Sequence, residues 1–273
     1  RDRSPSRGLG DVYKRQMRYY VVSDVHGFFS EMKAALEEKG FFEDKEPHKL
    51  VVCGDLFDRG TEALELEEFV LDLISKDEVI LIRGNHEDLL MELLHGWSNR
   101  SYFQMHHSSN GTLDTVCQLT NSNMDEIYYN PDDVARKLIR NESIRTIIPR
   151  MVDYFETERY VFVHGWVPCT QVYDKAKLIG YEIDENWRDA SIKSWEKARW
   201  INGMEVAHYG AKVDGKTVVC GHWHCSFGHS KYEGDGGEFD NKPNFDTYYA
   251  DGIIALDACT TISKKVNCIV VED

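Results

Sequence analysis

The chain has no apolar run approaching the roughly 18 residues that a membrane span requires. Its first apolar stretch, Met17-Arg18-Tyr19-Tyr20-Val21-Val22, turns polar at once, which excludes a signal-peptide core there. Basic residues are also short: 32 Lys and Arg stand against 47 Asp and Glu, a formal charge of -15. So acidic a body repels nucleic-acid polymers and anionic membranes, and positive charge used on a phosphate has to be local. Paired cysteine spacing is missing as well. The seven cysteines, at 53, 117, 169, 220, 225, 259 and 268, form an odd, scattered set, which points to reduced thiols and a cytoplasmic setting instead of a disulfide framework.

The opening RDRSPSRGLGDVYKRQ has no apolar period, and SRGLGDVYKRQ resembles the in-frame translation of a sequencing adaptor. We set residues 1–16 aside as an assembly scar, against the rival reading of a basic arm for nucleic acid. That segment carries five basic and two acidic side chains, so without it the charge deepens to -18. Residues 17–273 are long enough for one large α/β domain with its own core.

One pattern recurs along this domain. Short β-branched or aromatic runs end in polar clusters: RYYVV before SDVHG, KLVV before CGDLFDRG, VILI before RGNHE, RYVFV before HG, TVV before CGHWH, and GIIAL before DAC. Functional groups in α/β sheets collect beyond the carboxyl ends of strands, so six such clusters are expected to converge on one edge. Between them, Ala63, Leu66, Phe69, Val70, Leu73 and Ile74 predict a helix with Thr61 as its N-cap, and Glu62, Glu65, Glu67 and Glu68 on its wet face. Residues 97–157 show no strand pattern and predict a helical insertion or cap. Residues 231–246, rich in Gly, Asp and Asn, predict a long loop.

The clusters carry metal-ligand chemistry. Asp24 and His26, two apart after the first strand, fall on one side of an extended chain. Asp55, Asn85 with His86, His164, and His222 with His224 follow later strands. Carboxylate, amide oxygen and imidazole suit manganese, iron or zinc. A zinc knuckle on Cys220 and Cys225 is the rival, but it lacks a second ligand pair.

SDVHG, GDLFDRG, GNHE, HG and GHWH, in that order over residues 23–224, resemble the signature blocks of the calcineurin-like metallophosphoesterase superfamily. GDLFDRG and LIRGNHE are most similar to its phosphoprotein phosphatase type, which includes bacterial symmetrical diadenosine tetraphosphatases; Ser23 departs from the usual Gly. The resemblance implies a double β-sandwich flanked by helices, an α/β fold of four layers. It implies two divalent ions, manganese first with iron or zinc as alternatives: Asp24, His26 and Asp55 on the first, Asp55, Asn85, His164 and His222 on the second. His224 would complete the first shell, as in members ending Gly-His-x-His. A pair roughly 3.5 to 4 Å apart, sharing a hydroxide, serves in-line displacement at phosphorus.

Further roles follow from the same resemblance. His86 would protonate the leaving oxygen, with Asp58 fixing its tautomer; the rival for Asp58 is a turn or cap carboxylate. Arg59 would clamp phosphate. Arg199, in WEKARWIN, would be the second clamp, against a surface pair with a Glu on its own helix. Arg83 would brace the site. His48, His95, His106, His107, His208 and His229 lie outside the blocks and read as surface or core residues; Tyr248 and Tyr249 read as packing aromatics. The expected activity is hydrolysis of phosphate monoesters, with phosphoserine or phosphothreonine in proteins as the first substrate. The alternatives are symmetrical hydrolysis of diadenosine tetraphosphate or a related nucleotide, and a non-catalytic phosphoprotein-binding scaffold. No nucleic-acid polymer or membrane partner is expected.

Overall fold

In the first strand, Arg18–Val22 (β1), successive side chains face opposite ways, and this alternation sets the layering. Tyr20 and Val22 enter a core shared with helices, while Tyr19 and Val21 enter a second core. The next strand, His48–Cys53 (β2), divides likewise: Leu50 and Val52 face the helices, Val51 and Cys53 the other side. The computed structural model describes residues 17–273, so the segment set aside at 1–16 lies outside the described residues.

Strand and helix alternate at first, with α1 (Phe29–Lys39) before β2, then α2 (Ala63–Ser75), β3 (Val79–Ile82) and α3 (Asn85–Ser98). Four short helices come next: α4 (Met105–Ser109), α5 (Thr112–Thr120), α6 (Met124–Tyr129) and α7 (Pro131–Arg140). The chain continues through β4 (Phe155–Glu156), β5 (Tyr160–Phe162), the hairpin β6 (Cys169–Asp174) and β7 (Lys177–Ile183), α8 (Ile192–Ala198), α9 (Gly203–His208) and β8 (Thr217–Cys220). It ends with α10 (Cys225–Gly228), β9 (Tyr248–Ala250), β10 (Ile253–Ala255), α11 (Thr260–Ser263) and β11 (Cys268–Glu272).

Two sheets result. The first has the order β11-β1-β2-β3, with β1, β2 and β3 parallel and β11 antiparallel on the edge. The second runs β4-β5-β8-β10-β9, with β5, β8 and β10 parallel. Val21, Val51 and Ile82 of one sheet meet Phe162, Val219 and Leu256 of the other in the core between them. Helices α1, α2, α3, α5 and α7 cover the first sheet; α8 and α9 cover the second, with the β6-β7 hairpin packed against the same core. The order helix, sheet, sheet, helix gives four layers. Among the described residues no helix is long and apolar enough to cross a membrane.

Three local expectations change. The cap of α2 is Glu62, not Thr61, and it makes no side-chain cap bond. The free N–H of Ala63 donates to Gln118 Oε1 at 3.0 Å, so α5 supplies what a capping side chain would. Glu67 is buried instead of wet, because Ser143 donates to its carboxylate from both N and Oγ. Within 97–157, Phe155–Glu156 forms a short strand on the edge of the second sheet. Leu113, Val116, Ile127, Val134 and Leu138 of the same stretch share one core with Leu66 and Val70, so these helices belong to the covering layer of the first sheet.

Candidate metal centre

Each parallel triplet delivers its polar cluster to the same edge. Asp24, Asp55 and Asn85 follow β1, β2 and β3; His164, His222 and Asp257 follow β5, β8 and β10. The turns after the strands are tight and unusual. Asp24, His26, Asp55, Asp58, Arg59 and His222 all hold φ between 50° and 76°, in the left-handed region. Each non-glycine residue there costs roughly 1–2 kcal/mol, and such outliers cluster where a site needs its side chains aimed. The backbone also comes close: a β-carbon at Gly84 would collide with Asp55 Oδ1, so glycine is required beside that carboxylate.

Asp55 is the centre. Its buried Oδ2 lies 3.8 Å from His26 Nε2 and from His86 Nε2, and 3.3 Å from His164 Nε2. Ligand atoms of His26, Asp55 and His86 converge within 4.8 Å of one another, and so do those of Asp55, His164 and His222. Asn85 Oδ1 joins the second set at 2.7 Å from His164 Nε2.

The imidazoles are arranged as ligands. His26 Nδ1 donates to the Phe57 carbonyl at 3.0 Å and His164 Nδ1 to the Cys53 carbonyl at 2.8 Å. His86 Nδ1 donates to Asp58 Oδ2 at 2.7 Å. In each ring Nδ1 is anchored by that bond and Nε2 faces Asp55, the orientation that presents an imidazole to a metal. The electrostatics agree. Burial and the neighbouring Asp257 push Asp24 well above the carboxylate range, and burial also raises Asp257. Burial would lower His164, yet the Asp55 carboxylate outweighs it and carries that imidazole up to about 10. Carboxylates crowded in a dry site draw positive charge to themselves, which is what divalent ions supply. The donor set therefore fits two ions about Asp55, with Asn85, His164 and His222 on one side and His26 on the other.

Other expected residues fall in different places. Asp24 is buried, but its oxygens accept from His222 N at 3.0 and 3.1 Å and from Ser23 Oγ, and it joins neither converging set. His224, expected on the first ion, has its Nδ1 2.7 Å from Glu238 Oε2 and groups with Glu238 and Cys259, while its Nε2 lies 3.9 Å from Asp257 Oδ2. Arg59 is in the site: its fork lies 3.0 Å from His26 Nε2 and 3.2 Å from His86 Nε2. Arg199 is not a free clamp. Its buried guanidinium is held by Asp88 at 2.6 Å and by Asp153, with Arg83 paired to the same Asp88 at 2.7 Å. His106 and His107 lie beside Glu92, and Tyr248 packs in the core with its hydroxyl on His208. Cys220 and Cys225 are buried apart from every converging set.

Several supporting residues are visible only in three dimensions. Glu87 is buried and accepts from Asp55 N, Leu56 N at 2.9 Å and Gly84 N at 2.8 Å, so it fixes the loop that carries Asp55. Thr112 and Thr115 of α5 each donate to Asp58 at 2.8 Å. Asp257 could have been found from its place after the sixth strand run.

A double β-sandwich with carboxylates and imidazoles gathered at the carboxyl ends of both parallel triplets is the scaffold of a metal-dependent hydrolase. The chain belongs to the calcineurin-like phosphoesterase family, whose profile matches residues 17–226. It is 35% identical over 86 residues to the asymmetrical bis(5'-nucleosyl)-tetraphosphatase PrpE of Bacillus subtilis (strain 168), covering 29% of this chain and 35% of that protein. It is 33% identical over 103 residues to the symmetrical bis(5'-nucleosyl)-tetraphosphatase of Buchnera aphidicola subsp. Acyrthosiphon pisum (strain Tuc7), covering 37% and 36%. The matched stretch thus spans about a third of the length of these curated relatives. In fold, the chain is similar to the cold-active protein-tyrosine phosphatase of a psychrophilic Shewanella, with a TM-score of 0.51, 14% identity, and coverage of 94% of this chain and 75% of that one.

Proposed function

We propose that the protein hydrolyses phosphate esters with two divalent ions, the first held by Asp24, His26 and Asp55 and the second by Asp55, Asn85, His164 and His222. The observation that carries this is the position of Asp55, whose one buried carboxylate faces both converging sets. When bound, the ions supply Lewis acidity to the phosphoryl oxygens and to the attacking water. The protein's own groups do the rest. Arg59 offers a planar fork to the equatorial oxygens of the ester, releasing its hold on the imidazoles as it does so. His86 gives the proton on Nε2 to the departing oxygen as the P–O bond breaks, and Asp58 keeps the ring's other nitrogen protonated and the ring oriented. Manganese is the first choice of ion, and the reduced thiols suit the cytoplasm.

Two substrate classes share this chemistry, phosphoserine or phosphothreonine in proteins and dinucleoside tetraphosphates. A specific feature favours the nucleotide. Beside His222 opens a cavity of about 690 Å³ walled by Trp223, Phe227, Phe239 and Lys231. Aromatic walls stack a base and a lysine suits additional phosphates, whereas a phosphopeptide side chain needs neither. The bis(5'-nucleosyl)-tetraphosphatase names of the curated relatives support the same choice. Manganese-loaded protein is to be assayed on diadenosine tetraphosphate and on a phosphopeptide panel, with Asp55→Asn as control. Preference for the dinucleotide is expected; a higher kcat/KM on phosphopeptides restores the protein substrate. Full activity of Asp55→Asn would remove the site assignment.

A further inference from the structure

The β6-β7 hairpin and the turn after α8 take no part in the proposed hydrolysis, yet they wall a second cavity, of about 620 Å³. Tyr173 and Tyr181 of the hairpin, Lys197 of α8, Trp200 and Asn202 line this space together with Trp223. Trp223 also lines the cavity beside His222, so the two spaces share one indole. The Trp200 ring meets His222 edge-on with 5.5 Å between centroids, which brings a second aromatic platform to the same imidazole. These platforms are open to solvent: Trp200 is 52% exposed, Trp223 39% and Phe239 93%. Large apolar side chains grouped at a surface mark a binding face. Tyr181 donates from its hydroxyl to Glu205 of α9 at 2.7 Å, which pins the hairpin and holds the wall in place.

We propose that this second cavity takes the second nucleoside of a dinucleoside polyphosphate, its base stacked on Trp200, while the first nucleoside lies in the cavity of Phe227 and Phe239. The proposal rests on the nucleotide reading of the site and extends it from one base to two. The two spaces repeat one chemistry. Each presents an exposed aromatic face and one exposed lysine, Lys231 in the first and Lys197 in the second. Stacking tolerates any base, and each lysine supplies local positive charge in a chain of formal charge -15. A ligand with two like ends and its phosphates between them matches two like cavities that share Trp223. A mononucleotide fills only one of them.

Two probes bound to the full, manganese-loaded chain provide the test. One is diadenosine tetraphosphate with methylene groups in place of its bridging oxygens, which prevents hydrolysis. The other is the same molecule with one adenosine replaced by a methyl group, so that charge is equal and one base is missing. Titration calorimetry should show the two-base probe binding roughly 5- to 100-fold tighter than the one-base probe. Trp200→Ala should remove that gap by weakening the two-base probe, with the one-base probe nearly unmoved. Tyr173→Ala, at an exposed position on the hairpin, should narrow the gap in the same sense, and it serves if Trp200→Ala alters the circular dichroism. Equal affinity of the two probes in wild type, or a gap that survives both substitutions, would overturn the second subsite and leave the nucleotide reading intact. Binding of neither probe would remove the nucleotide reading itself, and the second subsite with it. A phosphopeptide weakened by Trp200→Ala while both nucleotide probes are unaffected would assign the cavity to a protein substrate instead.

Discussion

His86 stands beside a ligand and also beside Asp55, so its role is decided by what its loss does to different leaving groups. An alkoxide departs poorly without a proton, whereas nitrophenolate departs unaided. His86→Ala is therefore expected to lower kcat on an alkyl phosphate by roughly 10² to 10⁴ and by much less on an aryl phosphate. Asp58→Asn should follow the same trend, because the carboxylate acts through the 2.7 Å bond to His86 Nδ1. Bound metal, counted in each preparation, should not change. Equal losses on both substrates, or a missing ion, would move His86 into the coordination shell, where its convergence with His26 on Asp55 also points. At this scale the sequence was legible wherever a functional residue ends a strand run, because strand ends are visible as breaks between apolar and polar residues. Glu87, Thr112 and Thr115 were not legible as supports. They act through hydrogen bonds to Asp55's loop and to Asp58, and nothing in their local pattern distinguishes them from ordinary helix residues. His224 and Arg199 were placed by motif analogy, and their partners Glu238 and Asp88 come from segments that spacing alone does not bring near.

Helix α5 shows how a covering element serves the site. Thr115 Oγ1 donates to Asp58 Oδ1 and accepts from Asp58 N at 2.9 Å, so one threonine holds both the carboxylate and its backbone. Thr115→Val keeps the shape and removes both bonds. A hydrogen bond to a charged buried group contributes about 1.5–3 kcal/mol. The variant should therefore lower kcat on alkyl phosphates about tenfold or more while sparing aryl phosphates, the signature of a positioning residue acting through Asp58 and His86. A purely structural role would reduce thermal stability and leave the ratio of the two substrates unmoved. Arg199, at the end of α8, makes the opposite prediction. Its guanidinium ties α3 through Asp88 to Asp153 ahead of the second sheet, so Arg199→Ala should destabilise the fold by roughly 3 kcal/mol with KM nearly unchanged. A large rise in KM at full stability would return it to the phosphate. The early strands and α2 were legible because their apolar residues keep a strict period. The hairpin of β6 and β7 was not, since its residues are mostly exposed or half-buried and obey no one-sided alternation. Strand β11 was missed for another reason: its place on the first sheet comes from pairing with β1 across the whole length of the chain.

For the whole molecule, the decisive fact is that neither sheet owns the site. Asp24, His26, Asp55 and Asn85 come from the first sheet, and His164 and His222 come from the second. An ion held by Asp55, Asn85, His164 and His222 would therefore tie the two layers together across the apolar core between them, and the unfolded chain offers no such arrangement. A ligand that binds only the folded state stabilises it by RT ln(1 + [L]/Kd), about 2.7 kcal/mol at a hundredfold excess over Kd. For a domain of this size one kcal/mol moves Tm by roughly 2–4 °C. Removing metal with a chelator should thus lower Tm by about 5–10 °C, and returning manganese should restore it. Asp55→Asn, which weakens the hold on both ions, should show little of this response. His222→Ala, which removes a contribution from the second sheet alone, should keep part of it, because the first ion remains. Differential scanning calorimetry with and without chelator on these three proteins decides the matter. A Tm indifferent to metal in the wild type would mean that the two sheets are joined by their apolar interface alone. A full response in Asp55→Asn would mean that the ions sit elsewhere than at Asp55.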